Sequence, residues 1–592
     1  MDDEEEINLE DTFDITHELE NPNSPFANSD RERECNAEAP GIGPDLLLVD
    51  GYKSETEDES LGMSSDISDQ TRTEESRTFL QSIGVGVVFI QCFFSDFVTI
   101  ACILGTGILG LPVTLSHSGF LPFLISFLIG FVVQALLIYF FIDVLQRAHA
   151  YNIEKHKCLS FEEQQVPLTN LTDDEESIHG SSKARHSHLS IARKVAKPNL
   201  HMMGTLFLGR GLSQAFDIIL LLQFVSILIS YALAGSEAYA QLFHIEKYLY
   251  IIPAFVWILS GSIVFAQRII QPVVSLFTLA KGGLLVATVV VTFGVGSAVG
   301  NTISNDFHYM GSPFLMGTVA LGGVCNVMPM MYSRIAYSRK QISLFWWTVF
   351  AGLATCMILN VLWCWAVLDI VPQLSSCTTH LTEEVLVHDN TTEVNIFTTP
   401  SVAPCVEDLS LERSAKQGEI STVPLIEILE DDYPQYTWVA VLVELFIMIS
   451  ITVSYLTIGS ALLHSFLGWL DAHMAWDKVD KGNTVPAKVK YCPKRICRPL
   501  FSLLVFGLVF VVAMLDPKGF VTMLDKIASL LLNLEAGLFI FLMIRRSNSA
   551  KYRSLIIPYP IHRLIYPAHY ILAIYFLFAV IYDITVTAIE WF

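Results

Sequence analysis

Long stretches of apolar residues without any charge constrain the fold of this chain more than any other feature. The stretch from Phe120 to Ile142 has 23 residues and no charged side chain. As a helix it is about 35 Å long, more than the roughly 30 Å hydrocarbon core of a bilayer. About eleven such blocks occur, and only 16% of all residues are charged. The sequence therefore predicts an all-α multi-pass membrane protein embedded in a lipid bilayer, and excludes a single soluble globular domain.

The apolar blocks define eleven predicted membrane spans. They cover residues 92–116, 119–146, 211–242, 248–267, 273–299, 312–333, 341–368, 437–467, 499–516, 519–544 and 567–589. With the N-terminus in the cytosol, the outer loops hold only about four basic residues. Because Lys and Arg collect in cytosolic loops, this orientation is favoured, with the C-terminus extracellular or luminal. The sequence does not decide between the plasma membrane and a lysosomal or vesicular membrane as the location of the protein.

Polar segments flank and interrupt the predicted membrane domain, residues 81–592. Residues 1–80 hold 24 Asp and Glu against five Lys and Arg, and are poor in aromatic residues. This composition predicts a disordered cytosolic tail, and a docking segment for a cytosolic partner is the alternative. The insert 148–210 is also polar and is predicted to be cytosolic.

The long loop 369–436 lies on the outer side in this orientation. It contains the sequon Asn390-Thr391-Thr392, which predicts glycosylation at Asn390. Cys377 and Cys405 are the two cysteines placed on this side. In an oxidising compartment they are predicted to form a disulfide, and two unpaired thiols are the alternative.

Glycine and proline interrupt two of the predicted spans. Residues 103–112 of the first span read ILGTGILGLP, and residues 317–329 of the sixth read GTVALGGVCNVMP. In lipid, a break is tolerated only where the freed backbone groups face protein, water or a ligand. Broken helices at matching places in two inverted halves indicate a transporter with a site near the bilayer midplane. For either span alone, close packing at small residues explains the glycines equally well.

The first-span motif GTGILGLPVTLSHSG (105–119) resembles the first-helix signature of the amino acid/auxin permease family. That family belongs to the amino acid–polyamine–organocation superfamily. In the third span, Leu208-Gly209-Arg210-Gly211 leads to Ile229-Ser230-Tyr231, which is similar to that family's third helix. The resemblance covers about residues 92–590. It implies a LeuT-like 5+5 inverted repeat with broken first and sixth helices, plus one extra helix.

The resemblance also implies a function and a binding site. The function is ion-coupled symport of small or neutral amino acids by alternating access. The amino and carboxyl groups of the substrate would meet the backbone at Gly105, Thr106 and Gly107. The substrate side chain would face the second break at Gly322 and Gly323, and Tyr231 on the third helix would contact the substrate as well.

The sequence leaves H⁺ and Na⁺ as alternatives for the coupled ion. Lys281 lies about nine residues into the fifth span, and in some proton-coupled superfamily members a lysine there replaces a sodium ion. In sodium-coupled relatives, eighth-helix hydroxyls complete a sodium site, which here favours Thr452 and Ser454. Glu535 in the tenth span is a third candidate, as a proton carrier. Each candidate also has a structural alternative. Lys281 could extend its ammonium group to the membrane interface, and the hydroxyls could donate to carbonyls of their own helix. Glu535 could form a structural ion pair with a basic residue.

Other classes of protein lack support in the sequence. It contains no HExxH, GxSxG or P-loop motif, so no enzyme, metal site or cofactor is predicted. No basic face suggests nucleic-acid binding. The main rival to a transporter is an amino-acid sensor, or transceptor, with little flux that signals through its acidic N-terminal tail.

Overall fold

The computed structural model describes residues 110–164, 197–245, 247–375, 409–474, 494–515 and 523–591. Within them the chain is helical, with no strand. The helices in chain order are α1 (Phe120–Gln164), α2 (Leu200–Phe207), α3 (Arg210–Leu242), α4 (Ile252–Phe265), α5 (Gln267–Val299), α6 (Gly311–Gly322), α7 (Val324–Tyr332), α8 (Arg339–Ile370), α9 (Leu411–Gln417), α10 (Thr422–Asp431), α11 (Thr437–Met474), α12 (Lys494–Leu515), α13 (Ser529–Leu534), α14 (Phe541–Ser547), α15 (Ala550–Arg553) and α16 (His569–Trp591).

Ten helical segments among the described residues are long and apolar enough to cross a membrane. They correspond to the second through eleventh predicted spans, and the all-α multi-pass fold class is thereby confirmed. Most of the first predicted span, 92–116, lies outside the described residues. Its described part belongs to a helix that covers residues 110–118. The tail 1–80 also lies outside them, as do Asn390, Cys377 and Cys405.

The turn between the first and second spans requires a glycine. Gly119 has a φ of +77°, and a Cβ there would lie 1.9 Å from the carbonyl oxygen of Ser304. Next to it, the Asp306 N–H donates to the Ser118 carbonyl at 2.9 Å. Ser118 and Gly119, just after the predicted first span, therefore contact the segment that enters α6.

The spans differ in how far other helices enclose them. In the sixth span, 89% of the most apolar 18 residues are buried, and in the third span 78%. Peripheral helices instead expose large apolar side chains, such as Leu504 on α12 and Ile574 on α16. Exposed apolar residues on spanning helices are expected where lipid is the solvent. The third and sixth spans are thus central, which is where the candidate site is found.

Part of the loop 369–436 packs as the short helices α9 and α10. Ser410 caps α9 by accepting from the Arg413 N–H, and α9 ends at Gly418 in the left-handed conformation. Burial alone would raise the pKa of Glu412, but hydrogen bonds from Lys416 and from the Ser375 N–H outweigh burial and lower this pKa. Glu412 therefore ties α9 to the segment that follows α8.

Candidate functional site

The sixth span has a one-residue break where the glycine pattern predicts, and Gly323 at the break keeps right-handed helical dihedral angles. Helix α6 ends at Gly322, α7 begins at Val324, and Gly323 lies between them. The Asn326 N–H donates to the Gly323 carbonyl at 3.3 Å, so it does not serve the Gly322 carbonyl as in a continuous helix. The Gly322 carbonyl instead accepts from Nε2 of Gln134 on α1, at 3.4 Å. A side chain thus replaces the missing backbone donor.

The break also needs a glycine for packing. A Cβ at Gly322 would lie 2.4 Å from Cδ2 and 3.2 Å from Cδ1 of Leu532 on α13. Contacts below 3.0 Å require a neighbour to move. Gly322 therefore permits a close approach between the sixth span and the tenth span.

Buried polar side chains surround the break. With its carboxamide nitrogen turned towards the tenth span, Asn326 donates to Oε1 of Glu535 at 2.9 Å and to Oε2 at 3.2 Å. In the same orientation, Asn326 Oδ1 accepts from Nε2 of Gln223 on α3 at 2.9 Å. All three residues are at most 3% exposed. A hydrogen-bonded chain thus links the third, sixth and tenth spans through the interior of the bundle.

A second contact joins the tenth span to the other half of the sixth. Nδ2 of Asn533 donates to Oγ1 of Thr318 on α6 at 2.9 Å, and Asn533 is fully buried. We call Gln134, Gln223, Asn326, Asn533 and Glu535 the break cluster. Through it, the tenth span holds α6 at Thr318 and α7 at Asn326.

The tenth span is irregular at this place. Helix α13 lies between two π-helical segments, Met523–Ala528 and Glu535–Ile540. Glu535 is therefore the first residue of a π-helical segment, a feature frequent at functional sites. Within the described residues, no donor reaches Oε1 of Gln223 or Oδ1 of Asn533. These are two buried acceptors of the break cluster without a donor among the described residues.

Lys281 lies on α5 and is fully buried. Its Nζ donates to Oγ of Ser454 at 3.1 Å and to the carbonyl of Ser450 at 3.4 Å. Both acceptors are on α11, one helical turn apart. The structure thus brings together two candidates that the sequence treated as competitors, the fifth-span lysine and an eighth-span hydroxyl.

Thr452 lies apart from this contact. Its hydroxyl is 3.1 Å from the Tyr239 hydroxyl on α3 and donates to the Met448 carbonyl at 2.8 Å. At 100° per residue, position 452 is on the other side of α11 from 450 and 454. The predicted pair Thr452 and Ser454 is therefore split between two faces of the helix.

The other predicted substrate-binding residues are Tyr231, Gly105, Thr106 and Gly107. Tyr231 is fully buried on α3, about 12 Å along the helix from Gln223. Gly105, Thr106 and Gly107 lie outside the described residues. Sequence reasoning missed four members of the break cluster: Gln134, Gln223, Asn326 and Asn533. Each is a carboxamide within an otherwise apolar span, and that is the signal that identifies them.

The chain matches solved structures but no family model and no curated protein. Among solved structures, it is similar to the manganese transporter of Eremococcus coleocola bound to an aromatic bis-isothiourea substituted compound. The TM-score is 0.44 at 11% identity, over 84% of this chain and 85% of that one. For a mutant of the same transporter the TM-score is 0.41 at 11% identity, over 83% and 85% of the two chains.

Proposed function

We propose that the protein is a secondary active transporter of small or neutral amino acids that works by alternating access. The observation that carries the proposal is the break of the sixth span at Gly323, enclosed by the break cluster. A broken helix offers N–H groups at one end and carbonyl groups at the other, which suits the two charges of an amino acid. The cluster contains no basic residue, which disfavours substrates with an acidic side chain.

The proposed substrate position combines the break with the first span. Gly105, Thr106 and Gly107 would bind the amino and carboxyl groups, as the family resemblance implies. The substrate side chain would lie near Gly322 and Gly323, where Oε1 of Gln223 is a buried acceptor without a described donor. A donor on the substrate that reaches this oxygen would recover the energy lost by burying it unpaired.

We propose H⁺ as the coupled ion, with Lys281 as the proton carrier. The Lys281 ammonium donates to the oxygens of α11 that a sodium ion would otherwise use. A second cation among these oxygens would face the ammonium charge at close range. Deprotonation of Lys281 would free the oxygens of α11 and allow this helix to move relative to α5.

The proposal extends to membrane orientation and partners. The N-terminus is assigned to the cytosol and the C-terminus to the extracellular or luminal side. The membrane is either the plasma membrane or a lysosomal or vesicular membrane. Residues 1–80 are proposed to contact a cytosolic partner through their acidic groups.

Transport by the purified protein in liposomes tests the proposed function. A labelled amino-acid mixture is offered with an inward pH gradient or an inward sodium gradient, each imposed separately. We expect uptake with the pH gradient alone, and protein-free liposomes are the control. Uptake that requires sodium would contradict proton coupling. Binding without uptake under either gradient would favour the sensor, and loss of a cytosolic partner on deletion of 1–80 would then support it.

Glu535 is expected to position α7 through its hydrogen bonds rather than to carry the proton. In Glu535→Gln the side-chain oxygen still accepts from Asn326, so uptake should stay within about threefold of wild type. In Glu535→Ala the Asn326 donor is left unpaired, at roughly 1–3 kcal/mol, and uptake should fall at least tenfold. Both variants are assayed in liposomes with folding checked by size exclusion. Loss of the pH response in Glu535→Gln would assign the coupled proton to Glu535 instead.

A further inference from the structure

A cavity lies apart from the break cluster. It is located between the first turns of α3 and the last turns of α11, beside α2. Its volume is about 330 Å³, at the lower end of the range of small-molecule pockets. No residue of the break cluster is among its described lining residues. In the proposed orientation, this end of α3 and α11 is the cytosolic end. The cavity is therefore a separate candidate site on the inner side of the membrane.

One wall of the cavity presents a carboxylate and two imidazoles. Nδ1 of His201 lies 2.8 Å from Oδ2 of Asp217, and both side chains are only about one-tenth exposed. Nδ1 of His473 lies 3.0 Å from the Trp469 carbonyl, which can only accept. Both imidazoles thus use Nδ1 in these contacts, and Nε2 is the other ring nitrogen. The wall offers a carboxylate and two imidazole rings, with the two rings 6.2 Å apart.

Aromatic rings on α11 give the cavity an apolar surface beside this polar wall. Phe466 and Trp469 are stacked, with ring centroids 5.9 Å apart. Trp469 also lies 4.4 Å from the ring of His473. The faces of such rings attract cations and pack against apolar groups. The cavity thus combines an apolar surface with a carboxylate and two imidazole rings.

The charge of the lining decides the class of ligand. Among its described lining residues, Asp217 is the one acidic residue and there is no Lys or Arg. The Asp217 carboxylate is therefore the acidic group of the described lining, and the aromatic rings lie beside it. We propose that this cavity binds a small organic cation, an ammonium group attached to an aromatic body. The ammonium would lie at Asp217, beside the two imidazole rings, and the aromatic body against Phe466 and Trp469.

Binding of radiolabelled tryptamine to the purified full-length protein tests this site. 3-Ethylindole has the same ring and nearly the same shape without the ammonium group, so it is the matched ligand control. We expect saturable tryptamine binding that 3-ethylindole displaces at least tenfold less well than unlabelled tryptamine. Equal displacement by the two compounds, or no saturable binding, would overturn the proposal. This comparison requires no variant, so it holds even if substitutions in the cavity impair folding.

Two variants locate the binding. Asp217→Asn removes the charge at nearly constant volume and should weaken tryptamine binding at least tenfold. Asp471→Asn is the matched control, because Asp471 is also near the inner end of α11 but pairs with Arg498 outside the cavity. Equal affinity in Asp217→Asn and wild type would overturn the assignment to this cavity.

An excess of the amino-acid mixture distinguishes the cavity from the proposed transport site. We expect it to leave tryptamine binding unchanged, because the two sites share no described residue. Displacement by the mixture would place tryptamine at the transport site and overturn the proposal. Absence of uptake in liposomes, by contrast, would count against the proposed function alone.

Discussion

Lys281→Met should reduce the stimulation of amino-acid uptake by an inward pH gradient at least tenfold. Methionine keeps most of the volume of the buried side chain but cannot carry a proton. It also leaves Ser454 Oγ without the donation from Nζ, which is 3.1 Å long in the wild type. Uptake is measured in liposomes at several external pH values, and Lys281→Ala is assayed in parallel as a smaller replacement.

Helix α11 provides matched controls for this prediction. Ser454→Ala removes one of the two acceptors of Lys281 and should weaken the pH response by a smaller factor. Thr452→Ala, two residues away on the other side of the helix, should leave the pH response unchanged. If folded Lys281→Met protein responds to the pH gradient as the wild type does, Lys281 is a structural donor and not the coupling residue.

Gly322→Ala should reduce uptake at least tenfold, and Leu532→Ala should partly restore it. The new Cβ would lie 2.4 Å from Cδ2 of Leu532, so either the Leu532 side chain has to move or the sixth and tenth spans have to separate. Overpacking of this kind costs about 1–3 kcal/mol, and shortening Leu532 relieves it. The double variant is expected to recover to within about threefold of Leu532→Ala alone.

Uptake is compared for the two single variants, the double variant and the wild type, so that the coupling between the sites is measured directly. Gly283→Ala on α5 is the control, because a Cβ there meets nothing within 4 Å. Full uptake by Gly322→Ala would show that close approach at the break is not needed for transport. Equal loss in Gly322→Ala and in the double variant would show that Leu532 is not the obstacle.

Span positions were predictable because lipid imposes a simple constraint on sequence. A helix that crosses the hydrocarbon core needs about 20 apolar residues, and this signal is local in the chain. The break at Gly323 was predictable for the same reason, since glycine and proline act on their own segment. The split between Thr452 and Ser454 also follows from helical periodicity alone, once both residues are placed on one regular helix.

The break cluster was not predictable in the same way. Gln134, Gln223 and Asn326 are single polar residues in three different spans, and none has a repeating pattern around it. Their roles arise from contacts across about 100 to 200 residues of chain, as between Gln134 and Gly322. The π-helical segments of the tenth span likewise depend on packing, because residues 523–540 read as an ordinary apolar helix.

The two attachments of the tenth span have a mechanical consequence for the sixth. Asn533 and Glu535 are two residues apart, yet they form hydrogen bonds on opposite sides of the break. Asn533 donates to Thr318 on α6, and Glu535 accepts from Asn326 on α7. Tilting one half of the sixth span against the other would therefore strain the tenth span at residues 533–535, where α13 passes directly into the π-helical segment.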